Sequence, residues 1–543
     1  MIRRWWMRRV EAWRASTWER RALWVVAVCV AAAAVAPIWR GRFLPLLDEP
    51  NHLASVFVWL EYNEPWARLK EFYRIEFAFA PYLLQYGVSY LFGSVAGVEI
   101  GHKLALCTYV LSLPVAALMW CRRTGRSPWL ALLTVPLAYN YNWSYGFHPY
   151  TFGVAAFLFA VVALDTFLER PRVGNAIAAA LLPMVCYVGH PLPLLALYVT
   201  LPVLWLSHRP RWTILLYSGA MMLPSASIVA WLSFSHGYTP TSNSASSSKP
   251  FIAGLRLPLS ELARDLPTYA LDSVSGNLDV AVFWVLAAAA IVAAAGSTLS
   301  RRLARTATTD RPAGWRGILL HYRSAWIGLA MLGLYVGLPI HLSRPFDWWL
   351  VGPRFAFVAA FFLFLAPAVP TRAPGRWFLI PMVPALAAVV FLPLLVSQKY
   401  AEFNHRAAPM IRLVAMTRSD ANILFLSMKP RGDPAVNVHA WNQGSSWVQV
   451  LHGGYSQSGF THSIEGFPYG RTVQLPAPPW NAAEQFNPAV HAARYDYVLV
   501  RNQTVPVFPD NDPEFHLAAQ EGAFALYERH ARVEPRKSVT SGR

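Results

Sequence analysis

The sequence predicts an all-α polytopic membrane protein with about eleven membrane-crossing helices and a small α/β domain at its C-terminus. Three observations predict this class. The 543-residue chain is 55% hydrophobic and 14% charged, whereas a soluble domain carries about 25% charged residues. Its apolar residues come in blocks such as Ala22–Trp39, Ile214–Phe234 and Val280–Ala295, and roughly 20 residues rising 1.5 Å each cross a bilayer. Its basic residues sit in short clusters between those blocks.

The basic clusters set the expected orientation. The net charge of +18 comes from 47 Lys+Arg against 29 Asp+Glu. Placed between apolar spans, these cations suit anchoring at anionic lipid and not a nucleic-acid face. Arg3, Arg4, Arg8, Arg9, Arg14, Arg20 and Arg21 precede the first span, which places the N-terminus in the cytoplasm. Pro37 follows the cleavage-like Ala34-Val35-Ala36, so the first span is expected to be a retained anchor. Later clusters alternate with longer loops rich in aromatic, Pro, His and Gly residues.

The expected spans are 22–39, 101–120, 128–141, 150–168, 175–188, 192–206, 213–234, 279–297, 325–342, 354–370 and 377–396. Glu76, Pro81 and Gln85 interrupt the run 75–92, which is therefore expected to lie in the interface or re-enter. An odd number of spans puts the C-terminus outside. The expected organisation is a basic cytoplasmic N-terminus (1–21), a polytopic transmembrane domain (22–396) with interfacial helices in 40–100, an extracytoplasmic α/β domain (397–532) and a disordered tail (533–543). Within the α/β domain, 401–417 reads as helix, and Ile423–Leu426 and Tyr495–Val500 read as buried strands. Residues 513–529 read as a helix followed by a short strand, and 430–490 as ordered loops. Cys29, Cys107, Cys121 and Cys186 avoid the large exposed segments, so no disulfide framework is expected.

Two adjacent carboxylates, Asp48 and Glu49, stand at the end of the first span's loop, before Pro50, Asn51 and His52. Pro50 suits a helix start, which makes one of the acids a helix cap. An acid there stays ionised and is equally suited to accept a proton or hold a metal ion. A retained first span, an Asp-Glu pair at its outer end, a nearby His, many further spans and an outer C-terminal domain together resemble the GT-C fold. That family comprises multi-spanning glycosyltransferases of the cell envelope that use a polyprenyl-phosphate-linked sugar donor. The resemblance implies that Asp48 or Glu49 acts as general base on a glycan, lipid or protein acceptor. It also implies an inner- or plasma-membrane enzyme of the hexosyl- or pentosyltransferase class.

Where relatives carry a second outer acid, this chain has Tyr139 to Tyr150, with His148 near its end. The segment suits sugar stacking or an interfacial aromatic belt. With the second acid missing, no cofactor is assigned and a divalent metal is left open. His341, Arg344 and Arg354 bracket a short loop and are the phosphate-binding candidates, because guanidinium presents a planar, permanently charged fork. His52 and His148 complete the expected substrate-binding set, with His190 as a weaker member. Rival readings are a lipid-linked glycan polymerase, ligase or transporter, and a GT-C-like protein without chemistry.

Overall fold

The computed structural model describes residues 18–75, 81–235, 257–303, 314–342, 348–369, 376–430, 432–460 and 469–530. Apolar runs become helices because a backbone without water must hydrogen-bond to itself. Among the described residues, six helices are long and apolar enough to cross a bilayer, beginning at Arg21, Val98, His148, Pro191, Leu278 and Ile380. Shorter apolar helices cover Val173–Gly189, Trp212–Ile228 and Pro353–Phe364. The chain is a multi-pass membrane protein.

In chain order the elements that matter for the site are α1 (Trp18–Val35), α2 (Glu49–Glu61), β1 (Tyr73–Ile75), α3 (Leu83–Ala96), α4 (Val98–Arg123), α5 (His148–Glu169), α6 (Val173–Gly189) and α7 (Pro191–His208). They continue as α8 (Leu278–Leu303), α9 (Arg323–Gly337), β2 (His341–Leu342), β3 (Trp348–Trp349), α10 (Ala356–Phe364), α11 (Arg376–Ala415), β4 (Ile423–Ser427), α12 (Gly444–His452), β5 (Tyr469–Arg471), β6 (Tyr497–Arg501), β7 (Phe515–Glu521) and β8 (Phe524–Arg529).

Several elements differ from expectation. The run 128–141 is two 3-10 segments, Pro128–Thr134 and Pro136–Tyr139, and not an α-helix. Pro128 and Pro136 each open a segment without an N–H to donate, which breaks the α-helical ladder. The run 213–234 divides into Trp212–Ala220 and Leu223–Ser235. The interrupted run 75–92 yields the end of β1 and then α3, which packs back on α4. Helix α11 is one 40-residue rod. At 1.5 Å per residue it is about 60 Å long, roughly twice the hydrocarbon thickness, so it carries the chain from the membrane helices into the C-terminal domain.

That domain is a four-stranded sheet in the order β4-β6-β8-β7. Strands β4 and β6 run parallel, while β6/β8 and β8/β7 run antiparallel. The segment expected as helix from 513 is thus a hairpin. Gly522, at φ +55, turns the chain, a conformation that costs glycine little. Phe524, Ala525, Leu526 and Tyr527 are buried. A second, two-stranded ladder pairs β1 with β5, Tyr73 opposite Arg471, and so ties the first long loop to the C-terminal domain.

At the opposite end of the bundle, Asp165 of α5 is fully buried. Its carboxylate pairs with Arg123 Nε of α4 at 2.7 Å, Arg323 Nε of α9 at 2.9 Å and His208 Nε2 of α7 at 2.7 Å. Four helices share one anion. Removing it strands buried cations, which costs about 3–5 kcal/mol. Asp165→Ala is therefore expected to lower the thermal unfolding midpoint of the detergent-solubilised protein strongly, measured by intrinsic tryptophan fluorescence.

Candidate active site

The site starts from how the loop before α2 is held. Leu47 N–H donates to Ser144 O at 3.0 Å, and Asp48 N–H donates to Tyr145 O at 3.2 Å. Gly146, at φ +73, lies directly against this backbone. Phe43 is fixed to α11 from both sides: its N–H donates to Asn404 Oδ1 at 2.9 Å and its carbonyl accepts from Asn404 Nδ2 at 2.7 Å. Trp143 Nε1 donates to Tyr400 on the same helix at 2.9 Å.

Asp48 is the residue before α2, yet its side chain makes no capping bond. Its Oδ1 accepts instead from Gln443 Nε2 at 2.6 Å. Burial pushes its carboxyl up to about 7, against the opposing pull of the Gln443 bond and the Arg354 charge. Glu49 is turned the other way and is buried. Its Oε2 accepts from His102 Nε2 at 2.9 Å and from His148 Nε2 at 3.2 Å. Burial acts to raise Glu49, but the two imidazoles outweigh it and hold the carboxyl below its ordinary range. The cluster Glu49–His102–His148 is a candidate metal-ligand set.

His52, one turn into α2, touches Gly146 O through Nε2 at 2.8 Å and the Tyr86 hydroxyl through Nδ1 at 2.6 Å. A carbonyl only accepts, so Nε2 carries the proton and Tyr86 donates to Nδ1. Burial, with His148 adding to it, pushes His52 well below its ordinary value.

Asp48 opens on a cavity of about 540 Å³ between the membrane helices and the C-terminal domain. One side is Asp48, Asn51, His52, Tyr82, Phe147, Tyr150, His190, Trp348, Trp349 and Arg354. The other side is Gln443, Gln457, Ser458, Phe460, Arg471 and Trp480. The Arg354 guanidinium rests 4.0 Å above the Phe147 ring centroid and donates through Nη2 to Trp349 O at 3.0 Å. His190 caps α7, its Nδ1 accepting from Leu192 N–H at 3.0 Å. In a neutral ring the proton then sits on Nε2, which lies 3.4 Å from Arg354 Nη1. Two donors therefore face each other at one corner of the cavity.

Of the residues singled out in the sequence, Asp48, His52, His190 and Arg354 line this cavity. Glu49 and His148 lie behind its wall, bonded to each other. His341 stacks on Trp349, with centroids 4.6 Å apart. Arg344 lies outside the described residues. The C-terminal half of the cavity was not singled out in the sequence. Its only signal is the Trp441-Asn442-Gln443-Gly444-Ser445-Ser446-Trp447 segment, whose polar side chains turn inward: Ser446 Oγ donates to Asn51 Oδ1 at 2.6 Å.

A Cβ on Gly146 would lie 2.9 Å from the backbone nitrogens of both Asp48 and Glu49. Gly125 has a similar φ of +68 but open space around it. Gly125→Ala is expected to cost only backbone strain, about 1–2 kcal/mol. Gly146→Ala must also push the Asp48 loop aside, so its unfolding midpoint is expected to fall further in a side-by-side melt.

No protein-family model matches the chain, and no curated protein matches its sequence. Among solved structures, it is similar to ArnT from Cupriavidus metallidurans bound to undecaprenyl phosphate, at 12% identity and a TM-score of 0.48, over 95% of this chain and 99% of that one. It is also similar to ArnT from Cupriavidus metallidurans in the apo state, at 12% identity and a TM-score of 0.38, over 93% of this chain and 98% of that one.

Proposed function

We propose that the chain is a membrane glycosyltransferase of the GT-C type, moving a sugar from a polyprenyl-phosphate donor to an acceptor bound against the C-terminal domain. One observation carries this reading: Asp48 and Arg354, a carboxylate and a guanidinium, face a single cavity at the junction of membrane helices and α/β domain.

The chemistry needs little more. A glycosyl phosphate has a good leaving group once its charge is balanced, so the remaining tasks are to deprotonate the acceptor hydroxyl and align it. Asp48 takes that proton as the hydroxyl oxygen attacks the anomeric carbon. The carbon–oxygen bond to phosphate breaks, and the electron pair leaves on a phosphate oxygen facing Arg354 Nη1 and His190 Nε2–H. Donors already aimed at that position need no reorganisation during the reaction. Arg344 is proposed to join them. Glu49, His52 and His148 hold the Asp48 loop, with Glu49 behind the base and not in contact with the reacting atoms.

The lipid part of the donor has a matching place. Helix α10 begins two residues beyond Arg354, and its Ala356, Ala359 and Ala360 line a separate cleft of about 460 Å³ with Phe283, Trp284 and Leu332. An amphipathic donor with its phosphate at Arg354 would lay a prenyl chain along such an apolar surface. The acceptor would then meet Gln457, Ser458 and Arg471. In this reading the N-terminus is cytoplasmic and the C-terminal domain extracytoplasmic, the orientation that the positive charge between spans favours.

The test is a panel of radiolabelled polyprenyl-phosphate monosaccharides incubated with the purified protein. Transfer is expected for one of them. Asp48→Asn is expected to slow transfer about 10²–10⁴-fold, the usual worth of a general base, and Arg354→Gln about 10²–10³-fold, with both variants still folded and inserted. Undiminished transfer in Asp48→Asn would end the proposal. Activity confined to lipid-linked oligosaccharides would reassign the protein as a polymerase or ligase.

A further inference from the structure

The geometry points to a second site, behind the cavity: Glu49, His102 and His148 form a buried divalent-metal site of the zinc class that pins the start of α2 to two membrane helices.

The three residues come from three separate helices. Glu49 opens α2, His148 opens α5 and His102 lies in the second turn of α4. They are 2%, 1% and 0% exposed for Glu49, His102 and His148, so this is not a solvated acidic patch. One ligand atom from each, all lying within 4.8 Å of one another, converges on one point. The oxygen–nitrogen separations are 2.9 and 3.2 Å, and tetrahedral zinc, bonded at about 2.0–2.1 Å, spaces neighbouring ligand atoms about 3.3 Å apart. Small side-chain shifts admit the ion.

The donor set selects the metal class. Two imidazoles and one carboxylate suit zinc and its first-row neighbours, whereas calcium takes six to eight oxygens and magnesium an octahedron of them. A metal-bound imidazole needs its other nitrogen protonated and directed. Ser89 Oγ stands 3.1 Å from His102 Nδ1, ready to accept that proton. His148 Nδ1 is buried with no hydrogen-bond partner among the described residues, so on that ring no acceptor meets the proton that a metal at Nε2 would leave on Nδ1, and the site has this second-layer contact at His102 alone. His52 is not a ligand, because both its nitrogens are engaged by Gly146 and Tyr86. The fourth position falls to the second Glu49 oxygen or to water.

None of the three ligands lines the cavity, so the ion acts by holding position. It fixes the first turn of α2 and thereby the direction of Asp48. That consequence rests on Asp48 being the base, but the ion's presence does not. The competing arrangement is a carboxylate satisfied by two imidazole N–H groups alone.

The experiment uses the full-length protein in detergent, purified on a tag without histidine and without chelators. Elemental analysis is expected to find about one zinc per chain, the stoichiometry of one closed site. After chelation, Co²⁺ is expected to rebind with the visible d–d bands of tetrahedral nitrogen–oxygen coordination. Glu49→Gln, His102→Gln and His148→Gln should each lose the ion, and His52→Gln should keep it. Folded wild-type protein without zinc that gives no cobalt spectrum overturns the site, whatever the variants do. So does retention of a full equivalent in the three ligand variants. An active, metal-free enzyme would sink this inference and leave the transferase standing; a metal-loaded, inactive protein would do the reverse.

Discussion

The molecule depends on how the backbone at Leu47–Glu49 is clamped against Ser144–Gly146. Side chains of consecutive residues at a helix start diverge by about 100°, so two adjacent acids cannot share an environment. The clamp decides which acid goes where. With Asp48 N–H on Tyr145 O, the shorter acid faces the cavity and the longer one reaches two imidazoles set back in the bundle. A slip of one residue would aim Glu49 at the cavity and leave Asp48 a methylene short of the histidines. Gly146 keeps the two loops close enough that no such slip is possible without parting them.

The cavity is a joint product of two bodies, and α11 joins them. Asn404 on that helix grips Phe43 just upstream of the acids, and Tyr400 receives Trp143 from the opposing loop. The aromatic packing continues into the C-terminal domain. Phe43 stacks on Trp447 at 4.9 Å, Trp447 meets Trp441 edge-on at 5.4 Å, and Trp441 meets Phe403 of α11 at 4.9 Å. Large rings buried in register are stiff, with few rotatable bonds to lose. The Gln443 amide that holds Asp48 hangs from this same aromatic wall. The C-terminal domain is therefore part of the site and not an appendage beside it.

What could be read from the sequence followed from local signals. The membrane class came from block hydropathy, and the strands Ile423–Ser427 and Tyr497–Arg501 from short β-branched and aromatic runs bounded by polar residues. The pair Asp48-Glu49 stood out as acids beside an apolar span, and Arg354 as a cation in an arginine-poor loop. At 128–141 high hydropathy predicts a span, but Pro128 and Pro136 turn the run into two 3-10 segments. Phe515–Glu521, expected to begin a helix, is a strand because pairing with Phe524–Arg529 overrides local preference. The division of labour between the two acids was illegible, because it is set by residues about 50, 100 and 395 positions away. Gln443 and His102 carry no motif, and only the folded chain brings them to the acids.

The rear and front of the cavity differ in a way that suits its proposed use. Behind Asp48, Glu49 is tied to two imidazoles, His52 to Tyr86 and Gly146, and Asn51 to Ser446. An ionised carboxylate buried without such partners would cost several kcal/mol, so Glu49 is tolerable only because the two histidines come with it. In front, Trp348, Trp349, Tyr150 and Phe460 offer rings, with Trp348 and Tyr150 held at their polar ends by the Tyr82 hydroxyl and the Arg354 carbonyl. In the proposed use, the polar floor would fix where a proton and a phosphate are received, and the aromatic wall would take a sugar face without dictating each hydroxyl. Preorganised charge contributes to catalysis only while it stays put. Here it is kept in place by a turn with no room for a methyl group at Gly146.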